Sequence, residues 1–161
     1  MSSGSGLRMP SGRRWSRKAA DNAEGTGAKL VERWPSWFNI HGDVRHTLMR
    51  FGFQHGDGWF DLLWRLCEDL EPLVAQAEKQ TGKSFEVLQV KEKFGGLRFY
   101  VSQKTDAIRQ RINAAGLESI HTCEVCGQPG VRRGGGWMTL CEEHAEGREV
   151  YRNGTGDEQT P

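Results

Sequence analysis

The sequence lacks any long apolar run. No stretch approaches the roughly 20 consecutive apolar residues of a membrane-spanning helix, and the first residues have no apolar segment of the signal-peptide kind. Only four cysteines are present, and the metal site described below accounts for three of them. This usage favours a reducing compartment over an oxidising one. The sequence therefore predicts a soluble, cytoplasmic protein that makes no membrane contact.

Apolar residues are scarce, at 36% of 161, and both ends of the chain contribute to that scarcity. Residues 1–28 are rich in Ser and Gly and carry five basic against two acidic residues. They predict a disordered basic tail, either a solubilising extension or an arm that contacts phosphates. Residues 153–161 predict a second disordered tail. The six tryptophans and seven phenylalanines of the chain still supply enough bulk for a core.

Two pairs of metal-binding residue types stand out in the C-terminal part. Cys123 and Cys126 are separated by two residues, and after fourteen more residues Cys141 and His144 follow at the same spacing. Three thiols and one imidazole in two knuckles form the ligand set of a closed structural zinc site. Gly127, directly after the first pair, can take the positive φ that lets the knuckle close. We therefore predict a structural Zn²⁺ cofactor bound by these four residues.

Other uses of these residues explain less of the pattern. A disulfide needs an oxidising compartment and leaves His144 without a role. A redox C-x-x-C motif does not need the second pair, and an iron site more often has four thiolates. A catalytic zinc would keep an open coordination position, whereas here the protein fills all four.

We predict that residues 119–152 form a separate zinc finger around these ligands. The knuckle is followed by a hairpin turned at the three glycines 134–136. A helix then begins at Cys141 and places His144 on the same face, three residues later. The order knuckle, hairpin, helix resembles the treble-clef zinc finger.

Residues 29–118 predict a helical and β-hairpin core domain, with ordered structure beginning near Lys29. Residues 43–51 have apolar side chains at helical spacing and predict a short helix. Asp57 suits the N-cap of a long amphipathic helix that carries Cys67 on its apolar stripe. Pro72 and Gly82 are expected to kink or divide this helix and to end it.

A β-hairpin and a third helix complete the predicted core domain. Residues 84–90 and 97–102 have the composition of strands, joined by a glycine-containing turn over 92–96. A helix over 105–115 follows, with Thr105 as its N-cap. The predicted fold class is α+β: a small helical and β-hairpin domain with an appended treble-clef-like zinc finger and disordered termini.

Three groups of residues together resemble a family of small proteins encoded by phages and prophages. They are the segment from Phe53 to Phe60, the segment from Gln89 to Tyr100, and the cysteine knuckles with Gly136-Trp137 and Thr139-Leu140. The resemblance covers residues 30–146. It implies a phage or prophage setting in a bacterial host cell, and it implies the zinc knuckles, but it implies no activity.

Two segments have the composition of a contact surface. The hairpin region 83–104 carries five basic and two acidic residues interleaved with aromatics, the usual footprint of single-strand or RNA contact. Its candidate contact residues are Lys91, Lys93 and Arg98. The finger has four basic and five acidic residues, so only its tip is a candidate surface, through Arg132, Arg133 and Trp137. An alternative is that Trp137 folds back over the knuckle and shields its sulfurs.

These features favour a non-catalytic binding module whose partner is a nucleic acid. A second hypothesis is a protein-interaction factor that acts on a host or defence protein. A magnesium-dependent nuclease is a weaker one, with Gln89 and Lys91 on a strand and Asp57 or Asp69 upstream, because glutamine is a poor magnesium ligand. His55 beside Asp57 is either a general-base pair or a surface histidine next to a helix-capping aspartate.

Overall fold

The computed structural model describes residues 25–135 and 137–152 of the chain. Within these residues it has three α-helices and two small antiparallel sheets, which confirms the predicted α+β class. The elements are, in chain order, α1 Thr26–Arg33, α2 Phe60–Thr81, β1 Val87–Lys93, β2 Gly96–Val101, α3 Asp106–Ser119, β3 Val131–Arg133 and β4 Met138–Leu140. None of the helices in the described part combines the length and apolar character needed to cross a membrane.

The first helix begins at Thr26, inside the segment that the sequence assigns to the tail. Leu30 on this helix is buried. Trp34, directly after the helix, donates its indole N–H to the Glu71 carboxylate of α2 at 2.7 Å, and its ring meets that of Trp64 with centroids 4.9 Å apart. Aromatic contacts therefore hold α1 against α2.

The short helix predicted over residues 43–51 is wrong. This segment forms turns and a single 3-10 turn, Met49–Phe51. Val44, one of the apolar residues at that spacing, is 43% exposed. The segment instead lies beside β1, where the Leu48 amide donates to the carbonyl of Leu88 at 2.8 Å. Hydrogen bonding to a strand edge here replaces the helical bonds that the apolar spacing favoured.

The long helix α2 is the spine of the core. It runs uninterrupted for 22 residues with Pro72 inside it, so the proline does not divide it. Gly82 ends it as predicted, at φ 69°, with its amide donating to the Glu78 carbonyl at 2.8 Å. Cys67 on its inner face is fully buried, and that burial raises the pKa of the thiol far above its usual value. Cys67 is therefore the core residue that the sequence predicts.

Asp57 does not cap α2. A 3-10 turn, Asp57–Trp59, precedes the helix, and the residue at the cap position, Trp59, makes no side-chain hydrogen bond that caps the helix. The Asp57 carboxylate instead accepts a hydrogen bond from the Thr26 hydroxyl at 2.6 Å. This aspartate therefore joins the start of α1 to the start of α2.

The hairpin β1–β2 is close to its prediction, with a shifted first strand and a different turn. Lys93 pairs with Gly96, which leaves Phe94 and Gly95 as the two turn residues. Their φ angles are 54° and 77°, the two positive values that a type I′ turn requires. Inward-facing residues from both strands join the core under α2.

The third helix packs against both α2 and the free edge of β2. Its N-cap is Thr105 as predicted, since the Thr105 hydroxyl accepts a hydrogen bond from the Ile108 amide at 3.2 Å. The helix extends to Ser119, four residues beyond the predicted end at 115. The Ser119 hydroxyl accepts a hydrogen bond from the Leu97 amide at 2.8 Å and so ties the end of the helix to β2.

The finger has the predicted knuckle and hairpin, but the helix predicted from Cys141 is wrong. Residues 141–152 form turns and one extended segment. Glu146 and Gly147 have φ angles of 51° and 74°, and two consecutive left-handed residues end helical geometry. The chain then returns to β3, where Val150 and Arg133 form an isolated antiparallel β-bridge.

Candidate metal centre and contact surface

The first knuckle is a tight turn whose closure depends on Gly127. The Gly127 amide donates to the Cys123 carbonyl at 2.8 Å, and Gly127 has φ 79°, as the sequence predicts. The Cys123 amide donates to the Gln128 carbonyl at 2.7 Å, and the Glu124 amide donates to the Thr139 carbonyl of β4 at 3.0 Å. Backbone hydrogen bonds therefore hold the first ligand pair against the hairpin.

The second pair reaches the first from the end of β4. The Cys126 and Cys141 sulfurs lie 3.7 Å apart, the Cys123 sulfur lies 3.7 Å from His144 Nδ1, and the Cys141 sulfur lies 3.2 Å from the same nitrogen. One ligand atom from each of the four residues lies within 4.8 Å of every other. The turn that replaces the predicted helix still brings the side chains of Cys141 and His144 together on one side of the chain.

The donor set and its spacing fit a metal ion. Zn–S bonds of about 2.3 Å in a tetrahedral site put two thiolates about 3.8 Å apart, close to the distance observed between Cys126 and Cys141. Three sulfurs and one imidazole nitrogen suit a borderline-soft ion. Among the described residues this is the cluster of three or more His, Cys, Asp or Glu residues that could hold a metal.

The two thiols of the first pair have different surroundings. Burial acts to raise the pKa of Cys123, but hydrogen bonds from backbone amides, beginning with that of Cys141, lower it to about 7. Burial and the neighbouring thiols raise the pKa of Cys126 to about 11. Cys123 is also the fully buried thiol, whereas Cys126 is exposed. A cation binding here deprotonates its thiol ligands, so it replaces the proton that Cys126 otherwise keeps.

The knuckle is pressed against the glycine-rich turn before α2. The Gly58 amide donates to the Glu124 carbonyl at 2.9 Å, and the Trp59 indole donates to the Thr122 carbonyl at 2.9 Å. A Cβ at Gly58 would lie 2.6 Å from the Gly127 nitrogen and closer still to the Cys123 carbonyl oxygen. Core domain and metal centre therefore share a tightly packed interface.

His55 belongs to this interface and not to the surface. It is 2% exposed, its Nδ1 lies 2.7 Å from the Gly56 carbonyl oxygen, and its ring stacks on Trp59 with centroids 5.6 Å apart. The interpretation of His55 as a surface histidine beside a capping aspartate is therefore wrong on both counts.

The three basic residues predicted on the hairpin share one face of it. Lys91 pairs directly with Arg98, and Lys93 lies two residues further along the same strand. Tyr100, two residues after Arg98, is on this face as well, with the Lys91 ammonium 5.8 Å from its ring centroid. Arg98, Lys93 and Tyr100 are exposed and Lys91 is half-buried. The alternating residues of β2, including Phe99, are buried instead.

The two arginines at the finger tip have opposite environments. Arg133 is 6% exposed; its guanidinium donates to the carbonyls of Leu140 and Arg148 and to the Glu142 carboxylate, the last at 2.8 Å. Arg132 is half-buried, and its guanidinium carbon lies 5.9 Å from the Tyr151 ring centroid. Arg133 thus holds the finger together, and only Arg132 is placed to contact a partner.

Trp137 neither folds over the sulfurs nor projects alone. It is 39% exposed and lies between two aromatic rings, with centroids 5.5 Å from Phe94 and 4.2 Å from Tyr151. We call Phe94, Trp137 and Tyr151 the aromatic junction, because it forms where the two hairpins meet. Sequence reasoning missed Tyr151, since nothing in the sequence announces that the C-terminal segment pairs with β3.

Backbone strain marks two members of the aromatic junction. Phe94 has φ 54° and Trp137 has φ 55°, in the left-handed region that costs a non-glycine residue roughly 1–2 kcal/mol. Gly95 secures the contact: its carbonyl accepts a hydrogen bond from the Thr139 hydroxyl at 2.6 Å, and a Cβ on it would lie 2.9 Å from Arg132. The strained residues therefore sit on a well-fixed connection between the hairpins.

The residues of the nuclease hypothesis are engaged with other groups. The Gln89 amide donates to the Gln54 side chain at 3.3 Å. Asp57 accepts from Thr26, and Asp69 accepts from the Arg111 guanidinium at 2.7 Å. Neither Asp57 nor Asp69 belongs to a group of three or more His, Cys, Asp or Glu residues that could hold a metal in the described part of the chain.

Comparison of the chain with protein-family models, curated proteins and solved structures finds no match. Function is therefore inferred from the site itself.

Proposed function

We propose that this protein is a non-catalytic nucleic-acid-binding module whose finger is held by a structural zinc ion. Cys123, Cys126, Cys141 and His144 would bind the ion and fill all four tetrahedral positions, so the ion would act on structure and not on a substrate. Three thiolates favour zinc over the hard cations that prefer oxygen ligands. The predicted phage setting stays a prediction of the sequence resemblance.

The observation that supports nucleic-acid contact most strongly is the outer face of the β1–β2 hairpin. Its register places Lys91, Lys93, Arg98 and Tyr100 together, with Gln89 as the neutral member of the row. Glu92 points the other way, because it is buried and accepts a hydrogen bond from the Gly95 amide at 2.7 Å. The face is therefore cationic with an exposed aromatic ring, the combination that binds phosphates and stacks on bases.

The basic character continues beyond the hairpin face. An open groove of about 720 Å³ lies between β2 and α3, and its charged lining residues are Arg98, Lys104 and Arg109. At the other end of the hairpin, Arg132 of the finger adjoins the turn. A polyanion following β2 would meet cations along this path, which favours a nucleic acid over a neutral protein surface.

The experiment is a binding titration with a matched control. Changing Lys91, Lys93 and Arg98 to alanine should weaken binding of a fluorescent single-stranded oligonucleotide and reduce the salt slope by about 0.7 for each lost phosphate contact. Changing Lys29, Arg45 and Lys79 to alanine removes the same charge from exposed positions on other elements. That control should change affinity much less.

Equal losses in both triple variants would show that only net charge matters and would contradict this surface. Wild-type protein that binds no oligonucleotide, while a host-lysate pull-down captures a protein through the same residues, would replace this function with the protein-interaction hypothesis.

A further inference from the structure

We propose that the aromatic junction is a stacking site for an unpaired base, which makes the protein selective for single strands over duplexes. This inference rests on the proposed function and narrows its ligand class. Phe94 and Trp137 come from positions 43 residues apart in sequence, and the fold brings their rings to 5.5 Å.

The junction is exposed where an ordinary packing cluster would be buried. Phe94 is 52% and Trp137 39% exposed, whereas Trp59 and Phe53 in the core are at most 1% exposed. Both exposed residues also hold left-handed backbone conformations that glycine or asparagine would adopt at lower cost. Strain and exposed apolar area together, in two residues that touch, favour a binding role over a packing role.

Two cations of the hairpins lie over rings of the aromatic junction. The Lys93 ammonium lies 5.4 Å from the Phe94 ring centroid, and the Arg132 guanidinium lies 5.9 Å from that of Tyr151. An aromatic surface flanked by cations takes a base on its rings and the adjoining phosphates on its charges.

A duplex cannot use this site in the same way. Its bases are stacked on each other and paired, so none presents a free face to a protein ring unless it leaves the helix. The tilt of 71° between Phe94 and Trp137 gives two differently oriented aromatic surfaces. Successive unpaired bases, which can turn independently, suit such an arrangement better than a rigid stack does.

The test compares a 12-nucleotide oligo-dT strand with a 12-base-pair duplex on the full chain with its metal. Phe94→Leu and Trp137→Leu keep apolar contact but remove the rings. Each should weaken single-strand binding by about 5- to 150-fold, the range for loss of one base–ring contact, and leave duplex binding within about twofold. Phe51→Leu is the matched control, since Phe51 is also 52% exposed but on another segment; it should change neither affinity.

Conservative variants keep the test valid if a leucine variant loses its fold. Phe94→Tyr and Trp137→Phe retain a ring and should preserve most of the single-strand affinity. Trp137 fluorescence provides a second readout: oligo-dT should quench wild-type emission, and Trp137→Phe should abolish most of that quenching.

The possible outcomes distinguish failure of the stacking site from failure of the proposed nucleic-acid binding. Wild-type protein that binds strand and duplex equally, with affinities unmoved by Phe94→Leu and Trp137→Leu, overturns the stacking site and leaves nucleic-acid binding in place. Wild-type protein that binds neither overturns both. Quenching that survives in Trp137→Phe also contradicts the site.

Discussion

Arg132 and Arg133 are neighbours on one strand, yet one has a structural role and the other is available for binding. Arg133 points inward and its guanidinium satisfies two backbone carbonyls and a carboxylate, whereas Arg132 points to the partly exposed junction. The sequence offers them as an equivalent pair. Because side chains alternate along a strand, the two arginines lie on opposite faces. Which face is buried depends on the segment after His144, and the sequence wrongly predicted a helix there.

We expect Arg133→Ala to lower the free energy of unfolding by about 2–3 kcal/mol, because it leaves the carbonyls of Leu140 and Arg148 without a charged donor. Arg133→Lys should recover little, since an ammonium cannot span the same three partners. Arg132→Ala should stay within about 0.5 kcal/mol of wild type and weaken only oligonucleotide binding. Urea unfolding of the three variants measures this, and equal destabilisation by Arg132→Ala and Arg133→Ala would contradict the assignment.

Gly58 and Gly82 make a second contrast at the scale of one residue. Gly58→Ala would drive a Cβ into the backbone of the knuckle, whereas Gly82→Ala meets no atom within 4 Å and suffers only from its positive φ. We expect Gly82→Ala to cost about 1–2 kcal/mol and to leave metal affinity unchanged. Gly58→Ala should destabilise the protein by about 1–3 kcal/mol and should also weaken metal binding. Competition with a chromophoric chelator distinguishes them, and unchanged metal affinity in Gly58→Ala would contradict the packing of the knuckle against the turn before α2.

At the scale of elements, local signals in the sequence predicted what depends on local rules. Thr105, Gly82 and Gly127 act as the cap, helix end and knuckle glycine that their residue types indicate. The errors fall where a strand edge competes with a helix. Residues 43–51 hydrogen-bond to β1, and residues 148–151 pair with β3, although the local spacing favours helices in both places.

Metal removal tests whether the finger needs the metal for its structure while the core does not. The core has its own large hydrophobic cluster around α2, whereas the hydrophobic cluster in the described part of the finger is small: Cys123, Met138 and Leu140, with Cys141 packed against them. A chelator should therefore leave most of the far-ultraviolet helical signal intact. Backbone amides of residues 119–152 should lose hydrogen-exchange protection, and near-ultraviolet signals from Trp137 should change. Unchanged protection of the finger after complete removal of the metal would contradict a structural metal.

At the scale of the whole molecule, two hairpins from separate segments form one surface. The four residues of the candidate metal centre and the basic residues of the hairpin could be predicted from the sequence, because spacing and charge are visible in it. The aromatic junction could not be predicted in this way. Phe94, Trp137 and Tyr151 meet because Gly95 contacts the strand pair formed by Arg132 and Thr139. Such long-range contacts leave no periodic signal in one sequence.

The salt dependence of oligonucleotide affinity tests the central claim most directly. With Lys91, Lys93, Arg98 and Arg132 on phosphates, the metal-loaded protein should show a slope of log K against log salt of about −3, from four contacts at about −0.7 each. Fluorescence anisotropy with oligo-dT between low and moderate salt measures the slope. A slope near −3 that falls toward −1 in the Lys91, Lys93 and Arg98 triple variant supports the account. A slope near zero, or no binding at low salt, contradicts it.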